Sequence, residues 1–267
     1  MNNRGGIMKL LLIHGSPRKK GNTTKISKLI EEQITTHDDV EFEWLFLKDY
    51  PLNECLGCHL CIIQGEDNCP LDDSREKIQE RMEAADGIIL ICPMYSFHVS
   101  TMMKTFIDHF TFLVHRPRFH KKKAMVVGLA GGPQKEISNY LTKNARAWGF
   151  DVEVKLNTIA HLDSLRPKYE KKNRKSIRKA TEKFYRKVKK NKIKSPSIYD
   201  LVFFKMWQHN ALVNKEELPK DYDYWQEQGW FDTNYYFKVR INPFKRLLAT
   251  FAGKMMKMMM HRVYKNY

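Results

Sequence analysis

The chain has 267 residues, 42% hydrophobic and 29% charged, with a net charge of +17. That apolar content suffices to bury a core and excludes intrinsic disorder or low-complexity fibre. No apolar run reaches the roughly 18 residues that a membrane span needs, and the polar Met1–Gly6 lead is too short for an export signal.

Met8–His14 (MKLLLIH) is a continuous apolar run, the pattern of a strand covered on both faces. Turn chemistry over Gly15–Thr24 leads into helical spacing over Lys25–Ile34. Val40–Leu47 alternates like a strand, and a cysteine-rich loop and a helix over about Ser74–Ala85 follow. Gly87–Cys92 is a second fully apolar strand, Thr101–Leu113 a helix, and Ala124–Leu129 another strand. Gln134–Trp148 reads as a helix and Val152–Ile159 as the fifth strand. Strands alternating with helices predict a parallel sheet covered on both faces, and five strands fit the smaller doubly wound, flavodoxin-like α/β architecture.

Charge divides the chain. Residues 1–164 carry 21 basic and 21 acidic residues, whereas 165–267 carry 26 basic and 9 acidic. The expected domains are residues 1–194, holding the sheet and a cysteine loop at 55–69, and an aromatic, basic, mainly helical extension at 195–267.

In a doubly wound sheet, ligands bind beyond the carboxyl ends of the strands where strand order reverses. After the first strand, Gly15-Ser16-Pro17-Arg18-Lys19-Lys20-Gly21-Asn22-Thr23 offers hydroxyls, an amide, a guanidinium and backbone N–H groups at a helix start, which suits a phosphate. The competing reading is a helix cap with solvated lysines. After the third strand, Pro93-Met94-Tyr95-Ser96-Phe97-His98 is an apolar, aromatic turn. It lies against a flat ring system or packs into the core. After the fourth, Gly131-Gly132-Pro133 lets backbone approach a ligand or forms a plain turn.

GSPRKKGNT, CPMYSFHVSTMMKTFIDHF and GLAGG together resemble the flavodoxin-like NAD(P)H-dependent FMN reductases over about Met8–Asp163. The resemblance implies an FMN-dependent, NAD(P)H-linked oxidoreductase. Ser16, Arg18, Asn22 and Thr23 would hold the FMN phosphate. Pro93, Met94, Tyr95, Ser96 and Phe97 would cradle the isoalloxazine, and Ala130, Gly131 and Gly132 would complete the site. The chemistry would be the cofactors', so no catalytic side chain is assigned; Tyr95 and His98 are the proton donors within reach of the turn.

Five cysteines, four of them within fifteen positions, point in a chain without an export signal to a metal or redox site in the reducing cytoplasm rather than to disulfides. Cys55, Cys58, Cys61 and Cys69 form a C-x2-C-x2-C-x7-C run. Such a run leaves an iron–sulfur cluster, zinc or free thiols open, with spacing closest to a cluster. The loop's place after the second strand resembles the iron–sulfur flavoprotein subgroup, which implies a [4Fe-4S] cluster on these four residues and electron passage across a subunit interface, hence a homo-oligomer, dimer or tetramer. His59 reads as a loop histidine and Cys92 as a buried apolar filler.

Arg166–Lys194 carries 15 basic and 2 acidic residues around an apolar stripe of Ile177, Ala180, Phe184 and Val188. It reads as the last helix of the sheet domain. Its charge suits an acidic, ferredoxin-like electron-transfer partner; no recognised nucleic-acid motif accompanies it. Over Pro243–Tyr264, Phe244, Leu248, Phe251, Met255 and Met259 share one helical face, and Arg246, Lys254, Lys257 and His261 another. This helix packs on its own domain or on a second copy, or lies on an anionic membrane surface. Two other functions stay open: a cluster-free flavin, quinone or nitro-compound reductase, and a nucleic-acid or membrane-surface binding module.

Overall fold

The computed structural model describes residues 6–132 and 134–263. In chain order the elements are β1 (Met8–His14), α1 (Asn22–Ile34), β2 (Val40–Phe46), α2 (Leu60–Ile63), α3 (Arg75–Ala84), β3 (Gly87–Pro93), α4 (Thr101–His109), α5 (Phe112–His115), β4 (Lys123–Ala130), α6 (Glu136–Ala147), β5 (Asp151–Ile159), α7 (Pro167–Lys190), α8 (Ile198–Val213), α9 (Pro219–Glu227) and α10 (Pro243–Val263). The chain divides into two compact units. The first comprises residues 6–56, 71–110 and 121–191; the second comprises 57–70, 111–120 and 192–263.

The first unit is the predicted doubly wound sheet: five parallel strands in the order β2-β1-β3-β4-β5. The uninterrupted apolar runs are the central strands. Every residue of β3 and β4 is buried, whereas the edge strands β2 and β5 alternate. Leu10, Leu12, Ile89, Ile91, Met125 and Val127 pack with Ile26, Ile30 and Ile34 of α1 and with Ile177, Phe184 and Val188 of α7. The stripe read from the basic segment is therefore a core-facing stripe, and the positive charge occupies the remaining faces of α7. The helix stops at Asn191, whose N–H donates to the carbonyls of Lys187 and Val188 and whose left-handed backbone (φ 38°) turns the following chain off the helix. One expected helix divides: Thr101–Leu113 becomes α4 and α5, because the chain turns at the buried Phe110.

The second unit gathers chain that the sequence spreads widely. Its aromatic core contains Phe204, Trp225 and Trp230, packed by Trp207, Tyr224, Phe231, Tyr235 and Tyr236. A reciprocal Ser197–Asp200 capping box starts α8. The fully buried Arg116 organises the polar interior: it donates to the carboxylates of Asp221 and Glu66 and to the carbonyls of Cys61 and Ile62. Asp221 also pairs with Nδ1 of His115 at 2.6 Å, and Arg118 reaches Glu66. The two arginines hold the Glu66 carboxyl below the usual carboxylate range against the opposing effect of burial. Trp225 Nε1–H donates to the His115 carbonyl at 2.8 Å. Thus the segment carrying Cys58, Cys61 and Cys69 is anchored by a charge that α9 neutralises.

Removing one partner from a buried ion pair leaves an uncompensated charge, which destabilises by about 3–5 kcal/mol. Asp221→Ala should lower unfolding stability by about that amount, measured as a shift of the denaturant midpoint followed by tryptophan fluorescence.

Candidate functional site at the carboxyl edge of the sheet

All three loops singled out in the sequence leave the carboxyl ends of β1, β3 and β4 in the first unit, and backbone hydrogen bonds tie them together. Gly15 N–H donates to the Ile91 carbonyl at 2.9 Å, and Met94 N–H to that of Leu129 at 2.6 Å. Ala160 N–H donates to that of Ala130 at 2.9 Å. Ser100 Oγ accepts from Met103 N–H as the cap of α4 and donates to the Gly15 carbonyl. Gly15 lies so close to α4 that a Cβ there would stand 2.7 Å from Cε of Met103.

The first loop is built around His14, the fully buried last residue of β1. Its Nδ1 accepts the Ser16 N–H at 3.4 Å, which places the proton on Nε2, 3.3 Å from Thr24 Oγ1. The Thr24 hydroxyl then donates to the Arg18 carbonyl at 3.3 Å. Arg18 N–H in turn donates to Ser16 Oγ at 3.3 Å. Burial pushes the His14 pKa down to about 4. At neutral pH the imidazole is therefore an uncharged clip that closes the loop. Trp44 and Phe46 wall its ring, with centroids at 6.1 and 4.7 Å.

Of the expected phosphate-holding residues, Ser16 and Thr23 are buried and Arg18 is exposed. Asn22 lies at the start of α1, its Nδ2 3.0 Å from Nδ1 of His161 in the loop after β5. Gly21, the N-cap of α1, has no side chain to satisfy the first helical N–H groups. The donors of this helix start are left facing a loop that carries Arg18.

The second loop does not pack into the core. Tyr95 and His98 exchange both backbone hydrogen bonds at 2.9 Å around a two-residue turn. Ser96 and Phe97, its central residues, have φ of 46° and 64°. Such turns ordinarily select Asn and Gly, so a phenylalanine here is strained. It is also 78% exposed. The Tyr95 ring is exposed too, and that of His98 packs edge-on to Tyr140 at 4.4 Å. Beneath the turn, Cys92 is buried as expected, and desolvation pushes its thiol up to about 11.

In the third loop Ala130 is buried, while Gly131 and Gly132 have ordinary backbone angles and a Cβ on either would meet nothing within 4 Å. The fold itself does not require glycine at these two positions. Pro133 lies outside the described residues.

The cysteine set is less complete. Cys55 and Cys58 are exposed, Cys61 and Cys69 partly buried, and none forms a disulfide. Among the described residues no group of three or more His, Cys, Asp or Glu side chains is arranged to hold a metal ion.

Sequence reading missed His14, Ser100 and His161. The signal for His14 was a lone histidine ending an otherwise apolar strand, directly before Gly-Ser. His161 carries no such signal, because only the neighbouring β-strand ends bring it to Asn22.

A family model described as NADPH-dependent FMN reductase matches residues 8–138. An iron–sulfur flavoprotein of Methanosarcina thermophila is 31% identical over 138 residues, covering 49% of this chain and 70% of that protein. The chain belongs to the iron–sulfur flavoprotein group of the FMN reductase family. A second iron–sulfur flavoprotein, from Archaeoglobus fulgidus, is 33% identical over 144 residues, which are 53% of this chain and 64% of that one. The chain spans only about half the length of two further archaeal iron–sulfur flavoproteins, 51% and 48%. The solved structure of RosB, with bound 8-demethyl-8-formylriboflavin-5'-phosphate, has a TM-score of 0.57 at 10% identity. It covers 88% of this chain and 92% of its own, a likeness of fold.

The neutral state of His14 has a consequence for stability. Its ordinary pKa near 6.5 applies in the unfolded chain and about 4 in the folded one. Between those values the unfolded chain binds the proton and the folded chain does not. Stability is therefore intact above pH 6.5 and falls as pH drops towards 4, by up to about 3 kcal/mol. Denaturation of the His14→Gln variant should show a correspondingly flatter pH dependence over that window.

Proposed function

We propose that the chain is an FMN-dependent, NAD(P)H-linked oxidoreductase whose flavin lies at the carboxyl edge of the sheet. The observation that carries this reading is the meeting of three unlike features where strand order reverses between β1 and β3. They are a helix start without a side-chain cap, a solvent-facing aromatic turn and a glycine pair that the fold does not need. Each matches one part of FMN. Ser16, Arg18, Asn22 and Thr23 would bind its phosphate by hydroxyl, guanidinium, amide and backbone donors. Pro93, Met94, Tyr95, Ser96 and Phe97 would line the ring, with Ala130, Gly131 and Gly132 giving it backbone contact. When bound, FMN supplies transfer of a hydride or of single electrons.

The chain's own residues hold and shield. His14 keeps the phosphate loop closed without adding charge. The Tyr95–His98 turn presents apolar surface that excludes water from one side of a ring.

Cys55, Cys58, Cys61 and Cys69 are proposed as ligands of a [4Fe-4S] cluster. Their spacing and the names of the relatives support that assignment; the thiols as placed do not form a metal-binding group, and no step is routed through them. The second reading is a cluster-free flavin, quinone or nitro-compound reductase that uses the same flavin site. NAD(P)H as donor, a homo-oligomer (dimer or tetramer) and an acidic ferredoxin-like partner complete the proposal. The basic outer faces of α7 support such a partner. No helix of the described residues is long and apolar enough to cross a membrane, which fits the proposed cytoplasmic setting.

Two measurements test the site and the cluster. Gly132→Val should leave the fold intact, because a Cβ there has nothing within 4 Å beyond its chain neighbours, yet lower flavin content severely; unchanged flavin would mean that the glycine pair is only a turn. Anaerobic NADPH titration should bleach the flavin. More than two electrons taken up per flavin, with the excess lost in Cys58→Ala, would establish the cluster. Two electrons with no iron would establish the cluster-free reading.

A further inference from the structure

Helix α10 in the second unit is amphipathic the wrong way round for a helix that packs on its own protein. It lies against α8 through small residues: Ala249 is 2% exposed, and a Cβ on Gly253 would stand 3.4 Å from Cβ of Lys205. The large apolar side chains face away. Phe244, Leu247, Leu248, Phe251, Met255 and Met258 are all exposed, between 37% and 67%. Their spacing places all six within an arc of about 100°. Of the packings expected for this helix, on its own domain or on a second copy, the first does not hold for these six residues. The side chains of Lys257, Met259 and His261, and all of Tyr264, lie outside the described residues.

The charge around the stripe is of one sign. Pro243–Val263 contains five Lys or Arg residues and no Asp or Glu. Lys254 borders the stripe on one side and Lys245 stands beyond its other edge, with Arg262 exposed at its end. A soluble protein rarely leaves so large an apolar stripe open unless something covers it. A second copy would press one wholly basic helix against another. An anionic lipid surface complements both parts, taking the apolar stripe into the headgroup–acyl boundary while the flanking cations meet the headgroups. With Lys254 in its middle, α10 is not a span, and no helix of the described residues is.

We infer that α10 docks the protein on the surface of an anionic bilayer through Phe244, Leu247, Leu248, Phe251, Met255 and Met258, with Lys245 and Lys254 contacting lipid headgroups. This inference is independent of the flavin reading, since it concerns residues that take no part in the proposed site.

The test is flotation of the full chain with vesicles of phosphatidylcholine alone or mixed with phosphatidylglycerol. The protein should float with the phosphatidylglycerol vesicles, less so at high salt, and not with phosphatidylcholine alone. Leu247→Glu with Phe251→Glu should reduce that binding at least about tenfold, while circular dichroism and flavin content stay unchanged. Lys245→Glu with Lys254→Glu should reduce it too, through charge alone. Failure of the full chain to float with anionic vesicles at low salt would overturn the inference, as would undiminished binding by the Leu247/Phe251 variant. If vesicles are ignored and that variant instead converts an oligomer to a smaller species, the stripe is an interface between copies and the inference falls.

Discussion

The site depends on one topological constraint: β1 and β3 are neighbours in the sheet, but the chain leaves them towards opposite faces. Right-handed crossovers make this reversal unavoidable when a parallel sheet is wound outward in both directions from one strand. Between the two departing connections lies the switch point, the place beyond the strand ends where doubly wound sheets bind ligands. The loops after β1 and β3 line it because of where they leave, before any side chain is specified.

Side chains then give the switch point its character. A buried, neutral His14 closes the first loop through Ser16 N–H and Thr24, so the loop is shaped without a fixed charge inside it. The positive character comes instead from the α1 start and from Arg18 at the surface. Close packing of Gly15 under α4 and the Ser100 hydroxyl on its carbonyl couple this loop to the next. The strained Ser96–Phe97 pair is local strain held by the Tyr95–His98 hydrogen bonds. Strain of this kind is retained where a side chain is wanted at the surface for contact with something else.

Much of this was legible before the structure. The apolar runs of β1, β3 and β4 announce central strands because both of their faces are covered, and the alternating β2 and β5 announce edges. The candidate loops follow from strand ends, so the segments holding Ser16, Tyr95 and Gly131 could be picked out as soon as the strands were placed. What was not legible depends on distant partners. Nothing near Arg116 in the sequence foretells that Asp221, more than 100 residues later, neutralises it, or that Cys61 offers it a carbonyl. For that reason the cysteine segment, which follows β2 in sequence, groups with the aromatic extension rather than with the sheet. The helix expected over 101–113 ends at His109, because Phe110 leaves helical geometry (φ −103°, ψ 19°) before α5 begins. In α10 the apolar period was visible, but a period says only that a face exists, not which way it points.

The central claim is that the carboxyl edge of this sheet holds FMN. The most direct measurement is to purify the full chain without added flavin, denature it, and identify and quantify any released flavin by chromatography against the protein concentration. One FMN per chain, or stoichiometric quenching of FMN fluorescence when the flavin is added back to the folded protein, is the result this account predicts. A chain that releases no flavin and does not quench added FMN would contradict it.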